Sequence, residues 1–192
     1  EAYLAGLERR RARREPINRV ASVASFFVSR VDTRLDPMVE KSAAAAAREL
    51  RGTIGIANAL VAYEAFQRTF RGPRWDALAR EGARVQRPLW ASTSTKDPAF
   101  PDLYYVEALI APDTVNTLPL ETFRAYADHG RPKVRITERA VSEAKQRLAT
   151  LAAAGFSLEE VTLALETEGV QKFSASYTAL VDGVGQKAMA LT

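Results

Sequence analysis

Within RPLWASTSTKDP (residues 87–98), three hydroxyl side chains and a lysine, Thr93, Ser94, Thr95 and Lys96, follow an apolar, strand-forming run from Leu89 to Ser92. Such a group suits an anion. Hydroxyls and loop amides donate hydrogen bonds, and Lys96 supplies either a positive point charge or a nucleophilic amine. Asp97 and Pro98 end the element and turn the chain. A second feature of the same kind lies upstream in VASVASFFVSRVDT (residues 20–33), where Arg30 and Asp32 follow a strand core from Val23 to Val28. An arginine there presents a planar fork that can hold two phosphate oxygens at once. In α/β folds, polar loops after the carboxyl ends of strands are where ligands bind. Each feature also has a plainer reading: a solvated loop after the first strand run, and an Arg30–Asp32 ion pair that only closes the second.

The elements that must position these residues alternate. After Pro37, Met38 to Leu50 contains the alanine run Ala43 to Ala47, which favours helix and packs closely on a sheet. Ile54 to Phe70 is a helix with Ile56, Leu60 and Tyr63 on one apolar face, and Trp75 to Ala79 adds a short helix before Gly82. In YYVEALIAPDTVNTLP (residues 104–119), Val106 to Ala111 reads as a third strand, with Thr117 as a helix cap and Pro119 in the first helical turn. Phe123, Tyr126 and Ala127 lie on the helix that follows, which stops at Gly130 and Pro132 and carries His129 structurally in its last turn. Thr137 starts another helix running to Gly155. Ser157 and Glu160 then form a capping box for a short helix to Glu168, Gly169 to Ser174 is a brief extended or turn segment, and Ser176 opens the closing helix. Strands separated by helical crossovers imply parallel pairing, so the polar loops should gather on one rim.

Composition bounds the rest. A chain of 192 residues with 47% hydrophobic content can bury a substantial core, and one domain over residues 1–192 is the expectation. Twenty-seven basic against 23 acidic side chains leave a net charge of +4, too mild to call for a nucleic acid or a membrane. The absence of cysteine excludes disulfides and thiolate metal sites, and a single histidine argues against a histidine cluster. No apolar run is long enough to span a bilayer, and a cytoplasmic location is expected. Glu1 to Arg14 has helical spacing of Tyr3, Leu4 and Leu7 but no capping residue at its start, so a preceding segment is expected. Its arginines, Arg9, Arg10, Arg11, Arg13 and Arg14, read as a solvated helix end favoured by the helix dipole.

Taken together, the three segments resemble the transaldolase family, in its long bacterial form. VASFFVSRVDT resembles that family's sixth barrel strand, RPLWASTSTKDP its seventh and VEALIAPDTVNTLP its eighth, while GVQKF resembles the segment before its final helix. The resemblance implies an α/β fold, the C-terminal part of a (β/α)8 TIM barrel, incomplete as given: a complete barrel takes roughly 250 residues. It implies transfer of a dihydroxyacetone unit between sugar phosphates in the non-oxidative pentose phosphate pathway, through a lysine Schiff base and without a metal or organic cofactor. Arg30 and Ser92 match the family's phosphate-binding residues, and Ser25 and Phe27 fall on positions that line its pocket. Many members carry an arginine where this chain has Ser94; Lys96 is expected to supply that charge from a neighbouring position. The Schiff-base lysine and the acid/base carboxylates belong to earlier strands and are expected upstream of Glu1, so this chain alone should be inactive. The partners implied are sugar-phosphate substrates and the missing N-terminal half of the barrel, or another covering chain. Two alternatives remain open: another Schiff-base sugar-phosphate aldolase, or a non-catalytic barrel fragment or binding module.

Overall fold

The computed structural model describes residues 1–190. Among them, three strands form one parallel sheet in the order β1-β2-β3, with β1 at Ser22–Phe27, β2 at Gln86–Ala91 and β3 at Val115–Asn116. β1 and β2 pair along their whole lengths, Ser22 opposite Gln86 through Phe27 opposite Ala91; β3 adds only Val115 opposite Leu89 and Asn116 opposite Trp90. Parallel pairing in chain order brings the loops after all three strands to one edge.

Helices cover one face of this sheet. α1 (Ala2–Ala12) precedes β1. α2 (Ser29–Glu40), α3 (Ala45–Arg48), α4 (Ile54–Thr69) and α5 (Pro73–Ala79) connect it to β2, and α6 (Tyr104–Ala108) lies between β2 and β3. α7 (Leu120–His129), α8 (Glu138–Ala153) and α9 (Leu158–Met189) complete the described chain. The central core joins Val28 and Trp90 of the sheet side to Ile56, Leu60 and Tyr63 of α4 and Ala144 of α8. A second core sets Val31, Leu35 and Val39 of α2 against Ile54, Leu151 and Val161. A third packs Leu4 and Leu7 of α1 on Trp75 and Leu78 of α5.

Several sequence expectations need correction. The third strand is not Val106–Ala111: Tyr104–Ala108 is helical and the strand is Val115–Asn116. A short apolar run cannot be told from a buried helical turn by periodicity, and here Tyr105 and Val106 are buried on the helix. The Trp90 indole donates to Leu109 O at 3.1 Å, which fixes the end of that turn. Thr117 does not cap α7. Its N–H extends the ladder to Trp90 O at 3.0 Å, and Pro119 occupies the cap position.

The helix assigned to Met38–Leu50 is also displaced. α2 begins directly after β1 and runs through Pro37 to Glu40, while Ala43 and Ala44 lie outside helix. Pro37 sits near the helix end, and burial of Val31, Leu35 and Val39 at four-residue spacing outweighs a proline cost of ~3 kcal/mol. Gly169–Ser174 is not extended, and the helices expected on either side of it are one. Ser157 caps α9 by accepting from Glu160 N, and the helix continues through all 32 residues to Met189. No proline interrupts it, and an internal glycine costs only ~1 kcal/mol.

Candidate functional site

The rim at the carboxyl ends of the strands is drawn together by hydrogen bonds between successive loops. Val28 N donates to Ala91 O and Ser29 N to Ser92 O, both at 2.9 Å, so the β1–β2 ladder continues one step past each strand. The side chains follow, with the Ser29 and Ser92 hydroxyls 2.9 Å apart in a hydrogen bond. Thr93, fully buried, donates from Oγ1 to Asn116 Oδ1 at 2.8 Å and ties the loop after β2 to β3. Ser92 has φ +55, left-handed backbone that a non-glycine residue adopts at a cost of about 1 kcal/mol or more. This conformation ends β2 abruptly and turns residues 93–96 along the rim.

Arg30 follows Ser29 in the first turn of α2, with its guanidinium carbon 4.1 Å from the Phe27 ring centroid. The aromatic face holds the guanidinium close to the carboxyl end of β1. Lys96 is exposed, and its Nζ donates to Ser94 Oγ at 2.6 Å; Ser94 is buried. Beyond Lys96, Asp97 pairs with Arg51, which also holds Glu40 at 2.5 Å. Thus Arg30 and Ser92 belong to adjoining backbone segments, while Lys96 and Ser94 form a pair further along the second loop. Ser25 and Phe27 also line a cleft of about 740 Å³ between β1 and α9, with Glu166, Val170 and Phe173 opposite, and Phe27 joins it to Arg30. Arg30, Ser92, Ser94 and Lys96 are not among the residues that line it.

Asp32 does not pair with Arg30. It turns inward, 1% exposed, where Oδ1 accepts from Gly55 N at 2.8 Å and Oδ2 from the Tyr105 hydroxyl at 3.0 Å. Burial pushes its carboxyl up to about 6, against the pull of those hydrogen bonds. The same burial, reinforced by the Asp32 charge, pushes the Tyr105 hydroxyl well above the usual tyrosine range. Asp36, one turn on, accepts from Gly52 N at 2.9 Å and is also raised, first by burial. Sequence reasoning missed Ser29, Thr93 with Asn116, and the Asp32–Tyr105 link. Ser29 was visible as a hydroxyl beside Arg30, whereas Tyr105 was hidden by reading its surroundings as a strand.

Other candidate residues are engaged elsewhere. His129 lies 3.2 Å from both Asp102 and Asp128 at the exposed end of α7, and those carboxylates raise its pKa. In the arginine-rich end of α1, Arg10 pairs with Glu15 at 3.0 Å and Arg11 with Glu81 at 3.4 Å. Among the described residues, no group of three or more His, Asp or Glu is placed to hold a metal ion, and no single helix is long and apolar enough to cross a membrane.

Residues 2–184 match the family described as Transaldolase/Fructose-6-phosphate aldolase. The chain is 46% identical over 187 residues to a transaldolase of Frankia alni, an alignment covering 97% of this chain and 50% of that protein. It is 48% identical over 188 residues to a transaldolase of Parafrankia sp., covering 97% and 51% respectively. Against a transaldolase of Thermobifida fusca it is 46% identical over 192 residues, covering 100% of this chain and 52% of the relative. The chain therefore spans about half the length of the curated relatives it matches.

Proposed function

This chain belongs to the transaldolase/fructose-6-phosphate aldolase family, and on that premise we propose that it is the carboxyl-terminal part of a (β/α)8 barrel that moves a dihydroxyacetone unit between sugar phosphates. In this reading β1, β2 and β3 are the sixth, seventh and eighth barrel strands and residues 1–192 form part of a single domain. Parallel pairing in chain order supports it. So does a sheet whose second face lacks a covering layer, since parallel sheets are ordinarily buried on both sides. The missing layer is the first half of the barrel, carried by the half of the relatives that this chain does not span.

The observation that carries the site assignment is the Ser29–Ser92 contact, which sets Arg30 and Ser92 on adjoining loops at the strands' carboxyl rim. Arg30 and Ser92 hold the substrate phosphate, the arginine through its fork and the serine through its hydroxyl. Ser94 stands where many relatives have an arginine, and its hydrogen bond with Lys96 keeps a positive charge near that place. Ser25 and Phe27 contact the sugar. Lys96 is not the nucleophile: a Schiff-base amine must be neutral when the carbonyl arrives, which burial favours, and Lys96 is exposed. The nucleophilic lysine and the acid/base carboxylates lie upstream. The imine supplies the electron sink, so no metal or organic cofactor takes part, and the reaction belongs to cytoplasmic carbohydrate metabolism.

The test is transfer from fructose 6-phosphate to an aldose phosphate acceptor. The complete polypeptide should catalyse it and residues 1–192 alone should not. Arg30→Gln in the complete polypeptide should raise KM for fructose 6-phosphate by about 10-fold or more, the value of a lost charge-assisted hydrogen bond. An unchanged KM in both Arg30→Gln and Ser92→Ala would remove the phosphate assignment.

A further inference from the structure

We propose that Asp32 is a positioning residue that holds the two phosphate-binding loops in register, by bridging Gly55 N and the Tyr105 hydroxyl behind the rim. The proposal rests on the phosphate assignment above. Asp32 lies in the first turn of α2, two residues after Arg30, and Tyr105 lies on α6, which closes the loop carrying Ser92, Ser94 and Lys96. The same two loops already touch at the front through the Ser29 and Ser92 hydroxyls. That contact and the backbone bonds from Val28 N to Ala91 O and Ser29 N to Ser92 O all lie at one place, the front of the rim; a link set back from it stops the loops rotating about that line. The Asp32–Tyr105 bond is that link, 3.0 Å long and buried.

Three features mark this carboxyl as more than packing. It is 1% exposed, and among the described residues it has no ion-pair partner, so hydrogen bonds alone offset its desolvation. Its two oxygens serve different elements, α4 through Gly55 and α6 through Tyr105. The backbone has closed around it: a Cβ on Gly55 would stand 2.5 Å from Val28 O and 2.9 Å from Asp32 Oδ2. The amino end of α4, the turn after β1 and the buried side of α6 thus meet at one carboxyl. An asparagine fits the space and keeps one acceptor, but turns a donor toward Tyr105 and reverses that bond.

The experiment uses the complete polypeptide, with inorganic phosphate as a competitive inhibitor against fructose 6-phosphate. Asp32→Asn should raise both KM for fructose 6-phosphate and Ki for phosphate about 5-fold, with kcat within about 2-fold. Tyr105→Phe, which removes the bond outright, should move both constants the same way by at least as large a factor, and it carries the test if Asp32→Asn does not fold. Arg30→Gln and Ser92→Ala are the controls for the assignment itself. If either control raises both constants while neither Asp32→Asn nor Tyr105→Phe does, the positioning role is wrong and the phosphate site stands. If Arg30→Gln and Ser92→Ala both leave the two constants unchanged, the phosphate assignment fails and takes the positioning role with it. A fall in kcat with KM and Ki unchanged in the Asp32 and Tyr105 variants likewise overturns the proposal.

Discussion

The two faces of the three-stranded sheet are made of similar residues but differ in what touches them. On the helix side Trp90 is 1% exposed and Val28 and Pro88 are buried; on the other side Val23 is 41% exposed, with Ser25 and Arg87 exposed and Leu89 and Val115 half-buried. α9 repeats the contrast along its length. Its first turns pack Val161 and Leu165 into the second core, whereas Val170, Phe173 and Tyr177 are 62%, 71% and 69% exposed further on. Their spacing of three and four residues makes one continuous apolar stripe. Val23 on the sheet and this stripe on α9 are apolar surface without packing, which under the proposed function another part of the barrel covers.

The largest effect should separate the faces directly. Trp90→Ala removes a fully buried ring that packs edge-on to Phe26, with centroids 5.9 Å apart, and donates to Leu109 O. It should cost about 3–5 kcal/mol in urea unfolding of residues 1–192. Val23→Ala, on the open face of the same sheet, should cost under about 0.5 kcal/mol in this chain and more in the complete polypeptide. Equal costs in residues 1–192 would erase the distinction.

The packed side is dry enough to change the behaviour of a carboxyl, which gives a smaller effect. Asp32 is raised in the folded state from 3.8 to about 6, by burial first and then by Asp36 on the same helix, while Gly55 N, the Tyr105 hydroxyl and Ile54 N hold it down. Between those values the folded chain binds more protons than the unfolded one. This group therefore adds stability as pH falls from about 6 toward 4, and that contribution is lost as pH rises again. The stability difference between the native chain and Asp32→Asn should move by about 1–3 kcal/mol in favour of the native chain over that range. A difference independent of pH in chemical denaturation would show that the carboxyl is not held dry.

The smallest effect concerns α9. Phe173→Ser in residues 1–192 should change stability by no more than about 0.5 kcal/mol, because a ring 71% exposed has little packing to lose. In the complete polypeptide the same change should cost about 2 kcal/mol or more. A large loss in residues 1–192 would mean that the distal helix is already covered.

Much of this was legible in the sequence. β1 and β2 announced themselves by compact apolar runs followed by polar loops, and Thr137 and Ser157 proved to be helix caps. What failed did so where local pattern is degenerate. Val106 to Ala111 is as apolar as a strand, yet the decisive features are a tryptophan 19 residues upstream claiming Leu109 O and a left-handed Asp113 that restarts the chain before Val115. The glycines of α9 suggested a break that capping and helix length overrode. In the candidate site, Arg30, Ser94 and Lys96 stood out by residue type, and Ser92 only through the family resemblance. The contacts that arrange them could not, since Ser29 with Ser92 and Asp32 with Tyr105 are 63 and 73 residues apart.

The proposed reaction places the lysine that forms the covalent intermediate outside these 192 residues. Borohydride reduction in the presence of fructose 6-phosphate, followed by peptide mass spectrometry, tests this directly, because it converts the imine to a stable amine on whichever lysine formed it. The complete polypeptide should carry one adduct, on a lysine upstream of Glu1, and residues 1–192 alone should carry none. An adduct on Lys96 would instead make Lys96 the nucleophile and overturn its assignment to the phosphate site.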